Sequence, residues 1–147
     1  MPRKAGSRNA SGDRRKTEKV IKKINKEFVE TGAKRITDKD VEQVVNKADD
    51  IKRKFSTSGP LGKFLKDAQL LLSLVKDYWN KEYREIPYWA IAAIVFALLY
   101  VLSPVDLIPD PIPFVGYLDD AAVVAICMLL IEQELAQYEE WKSARLT

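Results

Sequence analysis

Four aspartates that lie close together are the residues of this chain best suited to chemistry. Asp106, Asp110, Asp119 and Asp120 fall within the stretch VLSPVDLIPDPIPFVGYLDDAAVV. Carboxylate oxygens are the ligands that Mg²⁺ and Ca²⁺ prefer, and residues 85–141 contain no Lys or Arg that would neutralise these acids. The four aspartates are therefore a candidate site for Mg²⁺ or Ca²⁺, although their spacing matches no established metal-binding loop.

The other residue types needed for catalysis are scarce. The chain has no histidine, which removes the usual general base and the commonest ligand of transition metals. Its single cysteine, Cys127, lies inside the apolar run AICMLL, where we expect a buried and unreactive thiol. The sequence therefore supports no catalytic residue and no organic cofactor, and we expect a protein that is not an enzyme.

The same stretch also carries signals for turning the chain. Ser103 and Asp106 have the spacing of a capping box, and a proline at the first helical position loses no hydrogen bond. Asp119 and Asp120 fall at the predicted start of the last helix, where negative charge complements free amides. The residues to which we assign turn and capping roles are Ser103, Pro104, Pro109, Pro113 and Gly116.

The elements that position this stretch are predicted to be helices throughout, because no segment shows strand-like alternation. Amphipathic helical patterns cover residues 17–31, 41–55 and 60–84, the second preceded by a capping box at Thr37 and Asp40. The apolar face of the third must pack against partner helices or lie on a bilayer.

Two strongly apolar runs flank the aspartates, at residues 86–102 and 121–131. The first has no charged residue and reaches roughly 25 Å as a helix, which is short for a hydrocarbon core of about 30 Å. Tyr88, Trp89 and Tyr100 lie near its ends, as aromatic residues do at membrane interfaces. The sequence therefore predicts an all-α fold with a helical hairpin over 86–131, whose Pro- and Asp-rich connector joins two apolar helices.

The N-terminus is strongly basic. Residues 1–23 contain nine Lys and Arg against two acids, while the chain as a whole has a net charge of only +3. We expect residues 1–16 to form a solvated, disordered arm that is attracted to anionic lipid headgroups. Nucleic acid would attract it too, but the arm has no aromatic residue for base stacking, so specific recognition is not expected.

The stretch LLYVLSPVDLIPDPIPFVGYLDDAAVV resembles the signature of the YkvA-like proteins, a bacterial domain of unknown function. GPLGKFLKDAQLLLSLVKDYWNKEYREIPYWAIAAI is similar to the lead-in of longer members, and the terminal YEEWK fits as well. The family more often has an apolar residue where this chain has Pro111. The motif positions carried by this chain are Ser103, Pro104, Asp106, Leu107, Ile108, Pro109, Asp110, Ile112, Pro113, Gly116, Leu118, Asp119 and Asp120. The resemblance implies a membrane-associated helical protein without an established activity.

These observations divide the chain into the arm, an amphipathic helical front end at residues 17–56, and a YkvA-like helical domain at 57–142. We interpret the protein as a small non-enzymatic membrane protein of scaffolding or regulatory role, which contacts lipid. The acidic connector between basic flanks follows the positive-inside rule and indicates that both termini are cytoplasmic. The resemblance to a bacterial family implies that the membrane is the bacterial inner membrane. A mean hydropathy of −0.21 leaves open a cytoplasmic all-α interaction domain whose core is the two apolar runs. Divalent-cation binding, and a homo-oligomer or a helical protein partner, also stay open.

Overall fold

The computed structural model describes residues 26–57, 59–103 and 119–146, and every regular element in these ranges is a helix. The all-α prediction is confirmed. In chain order the helices are α1 (residues 26–33), α2 (Asp38–Asn46), α3 (Ala48–Thr57), α4 (Gly59–Gly62), α5 (Leu65–Trp79), α6 (Tyr88–Leu102), α7 (Asp120–Leu130) and α8 (Glu132–Leu146).

Helix α6 is the centre of the protein. Twelve of its fifteen residues are buried, because α2, α3, α5 and α7 all pack against it. A helix that is apolar on every face can avoid water only if it is covered on every face, and the first apolar run is such a helix. The buried side chains from α1 to α8 form one continuous core, which also includes residues of the predicted front end.

Helix α1 lies close against α6. The Phe28 ring meets the rings of Phe96 and Tyr100 edge-on, each with a centroid separation of 5.6 Å. One turn later, a Cβ atom built on Gly32 would lie 2.1 Å from Cε1 of Phe96. Gly32 therefore allows α1 to approach α6 at a distance that any other residue would prevent.

The second predicted helix is two helices in the structure. At its start, the Asp40 carboxylate accepts hydrogen bonds from the backbone N–H and the hydroxyl of Thr37, at 2.8 and 3.1 Å. The predicted capping box is thus present. The helix then breaks at Lys47, and both pieces pack on α5 and α6. No Gly or Pro marks this break, so the local sequence carried no signal for it.

The third predicted helix is shorter than residues 60–84. The short α4 is followed by a turn at Lys63 and Phe64, and α5 ends at Trp79. Lys81 then adopts a left-handed conformation (φ 65°), and the N–H of Glu82 donates to the carbonyl oxygen of Asp77 at 2.9 Å. This is the Schellman arrangement of a helix C-terminus. The apolar face of α5 packs inside the protein, burying Ala68, Leu71, Leu72, Leu74 and Val75.

The two apolar runs form two helices, α6 and α7, that contact each other. The connector between them lies outside the described residues, so the hairpin stays a prediction. The second run does not continue straight, however. The chain bends by 74° at Ile131, and α8 leaves in a new direction to pack beside α5. Cys127 on α7 is fully buried and donates a long S–H hydrogen bond to the carbonyl oxygen of Ala93, at 3.5 Å. The expectation of a buried thiol is confirmed.

Candidate functional site

Asp119 and Asp120 are the two connector aspartates that the structure describes. Asp119 is exposed and extended immediately before α7, and Asp120 is the first residue of that helix, as predicted. Asp119 makes no side-chain capping hydrogen bond. Partial burial raises the pKa of the Asp120 carboxyl, and the negative charge of Asp119 raises it further. The positive charge of Lys54 acts in the opposite direction but is the smaller influence.

The cation site stays a prediction. Asp106 and Asp110 lie outside the described residues, as do the turn positions Pro104, Pro109, Pro113 and Gly116. Ser103 is described and is the C-cap of α6. Within the described ranges, no three acidic or cysteine side chains lie close enough together to hold a metal ion.

A polar cluster joins α5 to α8, and its four members were not singled out from the sequence. The Tyr138 hydroxyl donates to Oδ2 of Asp77 at 2.6 Å, and the Ser73 hydroxyl, also 2.6 Å away, donates to the Tyr138 oxygen. Lys142 Nζ donates to Ser73 Oγ at 2.5 Å, to Tyr138 at 3.2 Å and to Asp77 at 3.3 Å. Two polar pairs spaced i, i+4 on facing helices, Ser73 with Asp77 and Tyr138 with Lys142, are the signal that was present in the sequence.

Serine beside lysine is a pairing that can serve nucleophilic catalysis, but here the protonation states oppose it. Partial burial would lower the pKa of Lys142, but the hydrogen bond with Tyr138 and the charge of Asp77 outweigh it and raise that pKa. Burial, helped by the hydrogen bond to Asp77, also raises the pKa of Tyr138. Lys142 thus stays protonated and cannot accept the serine proton at neutral pH. The cluster acts as a clamp between α5 and α8.

Aromatic side chains extend this clamp. The turn after α5 brings Tyr83 against Tyr138 and Trp141, with ring centroids 5.1 and 4.9 Å apart. Arg145 lies over the Trp141 ring and forms an exposed ion pair with Glu82 at 3.5 Å. The clamp borders an open polar groove of about 690 Å³, whose lining mixes lysines with acids and so favours neither sign of charge.

A different surface is apolar. Tyr88 and Trp89 at the start of α6 lie beside Leu129 and Leu130 at the end of α7, and we call these four residues the apolar patch. Trp89 and Leu129 are each about half exposed, at 51% and 52%. Among the residues described, the other large apolar side chains are buried or partly buried, except for Tyr88 and Leu146.

The patch continues into a groove between α1, α6 and α7, which we call the α1–α6–α7 groove. Its volume is about 350 Å³. Its apolar walls include Ala33, Ile36, Ala92 and Ala93, and two charged residues line it as well, Glu30 on α1 and Lys34 in the turn that follows α1.

The three predicted interface aromatics therefore differ in position. Tyr88 and Trp89 lie on the surface, and the Tyr88 hydroxyl donates to the carbonyl oxygen of Ile36 at 3.3 Å. Tyr100 is fully buried between Phe28 and Phe96. This corrects the placement of Tyr100, whose ring packs inside the protein because α1 covers that side of α6. Leu129, which the sequence analysis did not single out, takes part in the exposed surface instead.

Within the described ranges, no single helix has both the length and the apolar character needed to cross a membrane. Taken together, α7 and α8 meet these two criteria, but as a pair bent by 74°. Helix α6 is apolar but only fifteen residues long.

Residues 90–126 match the family model described as "Protein of unknown function (DUF1232)". The chain is also 38% identical, over 69 residues, to the "Uncharacterized membrane protein YkvA" of Bacillus subtilis (strain 168). That similarity covers 47% of this chain and 65% of the relative, so it spans less than two thirds of the relative's length. No solved structure is significantly similar to this chain.

Proposed function

We propose that this chain, which is similar to the YkvA-like family, is a non-enzymatic helical protein that attaches to the surface of a membrane. The apolar patch inserts between the headgroups, and the basic arm adds electrostatic attraction. We also propose the bacterial inner membrane as the location, with both termini cytoplasmic, and scaffolding or regulation as the role. The Bacillus subtilis relative is called a membrane protein, which supports a location at a membrane.

The exposure of the apolar patch is the observation that carries this proposal. Trp and Tyr rings are amphipathic and favour the headgroup region, where one end of the ring is apolar and the other wet. Leu129 adds an aliphatic side chain beside them. Burying the exposed halves of Trp89 and Leu129 together contributes about 2 kcal/mol.

Charge at the edge of the patch supports an anionic surface as the partner. Lys26 lies beside Leu129 and Leu130, and residues 1–23, which precede it in the sequence, are strongly basic. Each well-placed Lys or Arg near an anionic leaflet contributes about 1 kcal/mol. Glu132 and Glu134 border the patch on the α8 side, so the α1 side faces the headgroups more closely.

The burial of α6 supports surface attachment more than insertion. Its side chains are already covered by protein, so a lipid-facing hairpin would require α1, α2, α3 and α5 to leave their places on it. The apolar face of α5 is engaged in the same core and is not free to lie on a bilayer. Insertion of the bent pair α7 and α8 is the second candidate, and its length and composition favour it.

Sedimentation with vesicles tests the proposal. The full chain should bind vesicles of phosphatidylglycerol and phosphatidylcholine, bind neutral vesicles weakly, and be released by high salt or alkaline carbonate. Trp89→Ser together with Leu129→Ser should reduce the partition coefficient about tenfold or more, because about 2 kcal/mol of apolar transfer is lost.

Leu146→Ser is the matched control, since Leu146 is 82% exposed at the end of α8 and lies outside the patch. Its partition coefficient should equal that of the original protein. Retention through alkaline carbonate, with release only by detergent, would favour insertion. Failure to bind any vesicle would contradict attachment to membranes and would favour the alternative, an all-α interaction domain.

A further inference from the structure

We infer that the α1–α6–α7 groove binds one acyl chain of an anionic phospholipid, with the Lys34 ammonium contacting the phosphate. This inference deepens the proposed attachment to membranes and rests on it for the source of the lipid. A groove ligand binds with a stoichiometry of one lipid per protein, whereas attachment through the patch alone has no fixed stoichiometry.

Small side chains create the space. Ala33 on α1 and the neighbouring pair Ala92 and Ala93 on α6 line the groove, where larger residues would fill it. The volume of about 350 Å³ is in the range of small-molecule sites in proteins. Ile36 and Leu130 complete an apolar lining.

The lining also restricts what kind of ligand fits. The Tyr88 hydroxyl at the rim is already hydrogen-bonded to the carbonyl oxygen of Ile36. The carbonyl oxygen of Ala93 accepts the thiol of Cys127. Across the described ranges, no buried side-chain nitrogen or oxygen lacks a hydrogen-bond partner. A polar ligand group would lose its water inside this groove without compensation, so the part that enters must be hydrocarbon.

The positive charge of Lys34 favours a lipid with an anionic headgroup. Lys34 lines the groove and makes no ion pair within the described part of the chain. Its ammonium is therefore available to an anion. Glu30, one helical turn earlier, has the opposite sign and should weaken the same contact. Neutralising Lys34 should therefore weaken the binding of an anion, and neutralising Glu30 should strengthen it.

Continuity with the apolar patch identifies the bilayer as the source. Trp89 and Leu130 belong both to the groove and to the exposed surface beside Leu129. A chain that enters the groove therefore leaves a membrane at the place where the protein touches it. The rim needs no rearrangement, since the groove is already open in the structure.

The experiment uses the full chain and lauroyl-lysophosphatidylglycerol below its micelle concentration, with lauroyl-lysophosphatidylcholine as the neutral probe. Titration calorimetry should give saturable binding of one lipid per protein. Ala92→Leu should weaken it about tenfold, because the added atoms occupy the groove. Ala33→Leu, from the opposite wall, should act in the same way. Ala136→Leu adds the same atoms on an exposed face of α8 and should change nothing.

The headgroup contact is tested separately. Lys34→Gln should weaken binding of the anionic probe several-fold and leave the neutral probe unchanged, while Glu30→Gln should strengthen the anionic probe. Lys66→Gln, at an exposed position of α5, is the matched control. Circular dichroism melts of every variant separate loss of ligand from loss of fold.

Binding that is not saturable, or that both filling variants leave intact in a folded protein, would overturn the inference. Vesicle binding that survives Ala92→Leu and Ala33→Leu while the lysolipid is lost supports both ideas. Saturable lysolipid binding without vesicle binding supports the groove and ends the proposed attachment.

Discussion

The contact of α1 with α6 and the contact of α5 with α8 hold helices together by different means. Between α1 and α6 the contact is apolar and close, with Gly32 under the Phe96 ring and Phe28 beside it. Between α5 and α8 it is built from four hydrogen-bonding groups that satisfy one another. The contact between α1 and α6 should therefore be weakened most by substitutions that change side-chain size. The contact between α5 and α8 should be weakened most by substitutions that remove a hydrogen-bonding group.

Gly32→Ala should have the largest effect. The new Cβ would meet the Phe96 ring at 2.1 Å, and that ring cannot move freely because Phe28 and Tyr100 enclose it. We expect a loss of about 3 kcal/mol in the free energy of unfolding, measured by urea denaturation. Gly59→Ala is the control, since its Cβ would meet nothing within 4 Å. Phe96→Leu should restore part of the loss in the double variant, and a stable Gly32→Ala protein would contradict the close contact.

Alkaline pH should have the second-largest effect, because it should lower the free energy of unfolding through Cys127 in the apolar core. Burial raises the pKa of the Cys127 thiol from 9.0 to about 12. The folded protein therefore keeps a proton that the unfolded chain loses, so the stabilisation is complete below pH 9 and disappears as the pH rises towards 12. Between pH 8 and pH 11 the loss is about 2.6 kcal/mol.

Urea midpoints at the two pH values measure this loss, and Cys127→Ala is the comparison. The variant starts from a lower stability because of its cavity, but its decrease between the two pH values should be smaller. Tyrosines with raised pKa values contribute equally to both proteins and cancel. Identical decreases would show that the thiol is not shielded from water.

The two contacts also differ in how far the sequence predicts them. The uniform apolar character of residues 86–102 predicted the helix α6. The capping box of Thr37 and Asp40 predicted where α2 begins. Whether a uniformly apolar helix meets lipid or protein depends on what covers it, and nothing local to Tyr100 says that α1 does. The placement of Tyr100 was wrong for that reason.

The clamp was missed for a related reason. Within its own helix Asp77 falls on the charged face, and Tyr138 falls on an apolar stripe, so neither helical pattern pairs the two residues. Only the 74° bend at Ile131 brings the two together, and a bend without Gly or Pro leaves no local signal. Asp119 and Asp120, by contrast, were placed correctly at the start of α7, because helix starts are marked by local residue types.

Tyr138→Phe should have the smallest of these effects. The ring stays against Tyr83, and Lys142 continues to bond Ser73 and Asp77, so only the hydroxyl and its hydrogen bonds are lost. We expect a decrease of about 1 kcal/mol in the free energy of unfolding. A double-mutant cycle with Asp77→Asn should give a coupling energy of similar size, because the two groups share the 2.6 Å hydrogen bond.

The exposed pair Asp50–Arg53 provides the control, since its side chains are 53% and 73% exposed. Asp50→Asn should change stability by less than about 0.5 kcal/mol. If Tyr138→Phe proved equally mild and uncoupled from Asp77, the Tyr138 hydroxyl would not help to hold α8 in place. A measured coupling between Tyr138 and Asp77 would instead establish that a polar contact can fix a helix whose position the apolar pattern does not determine.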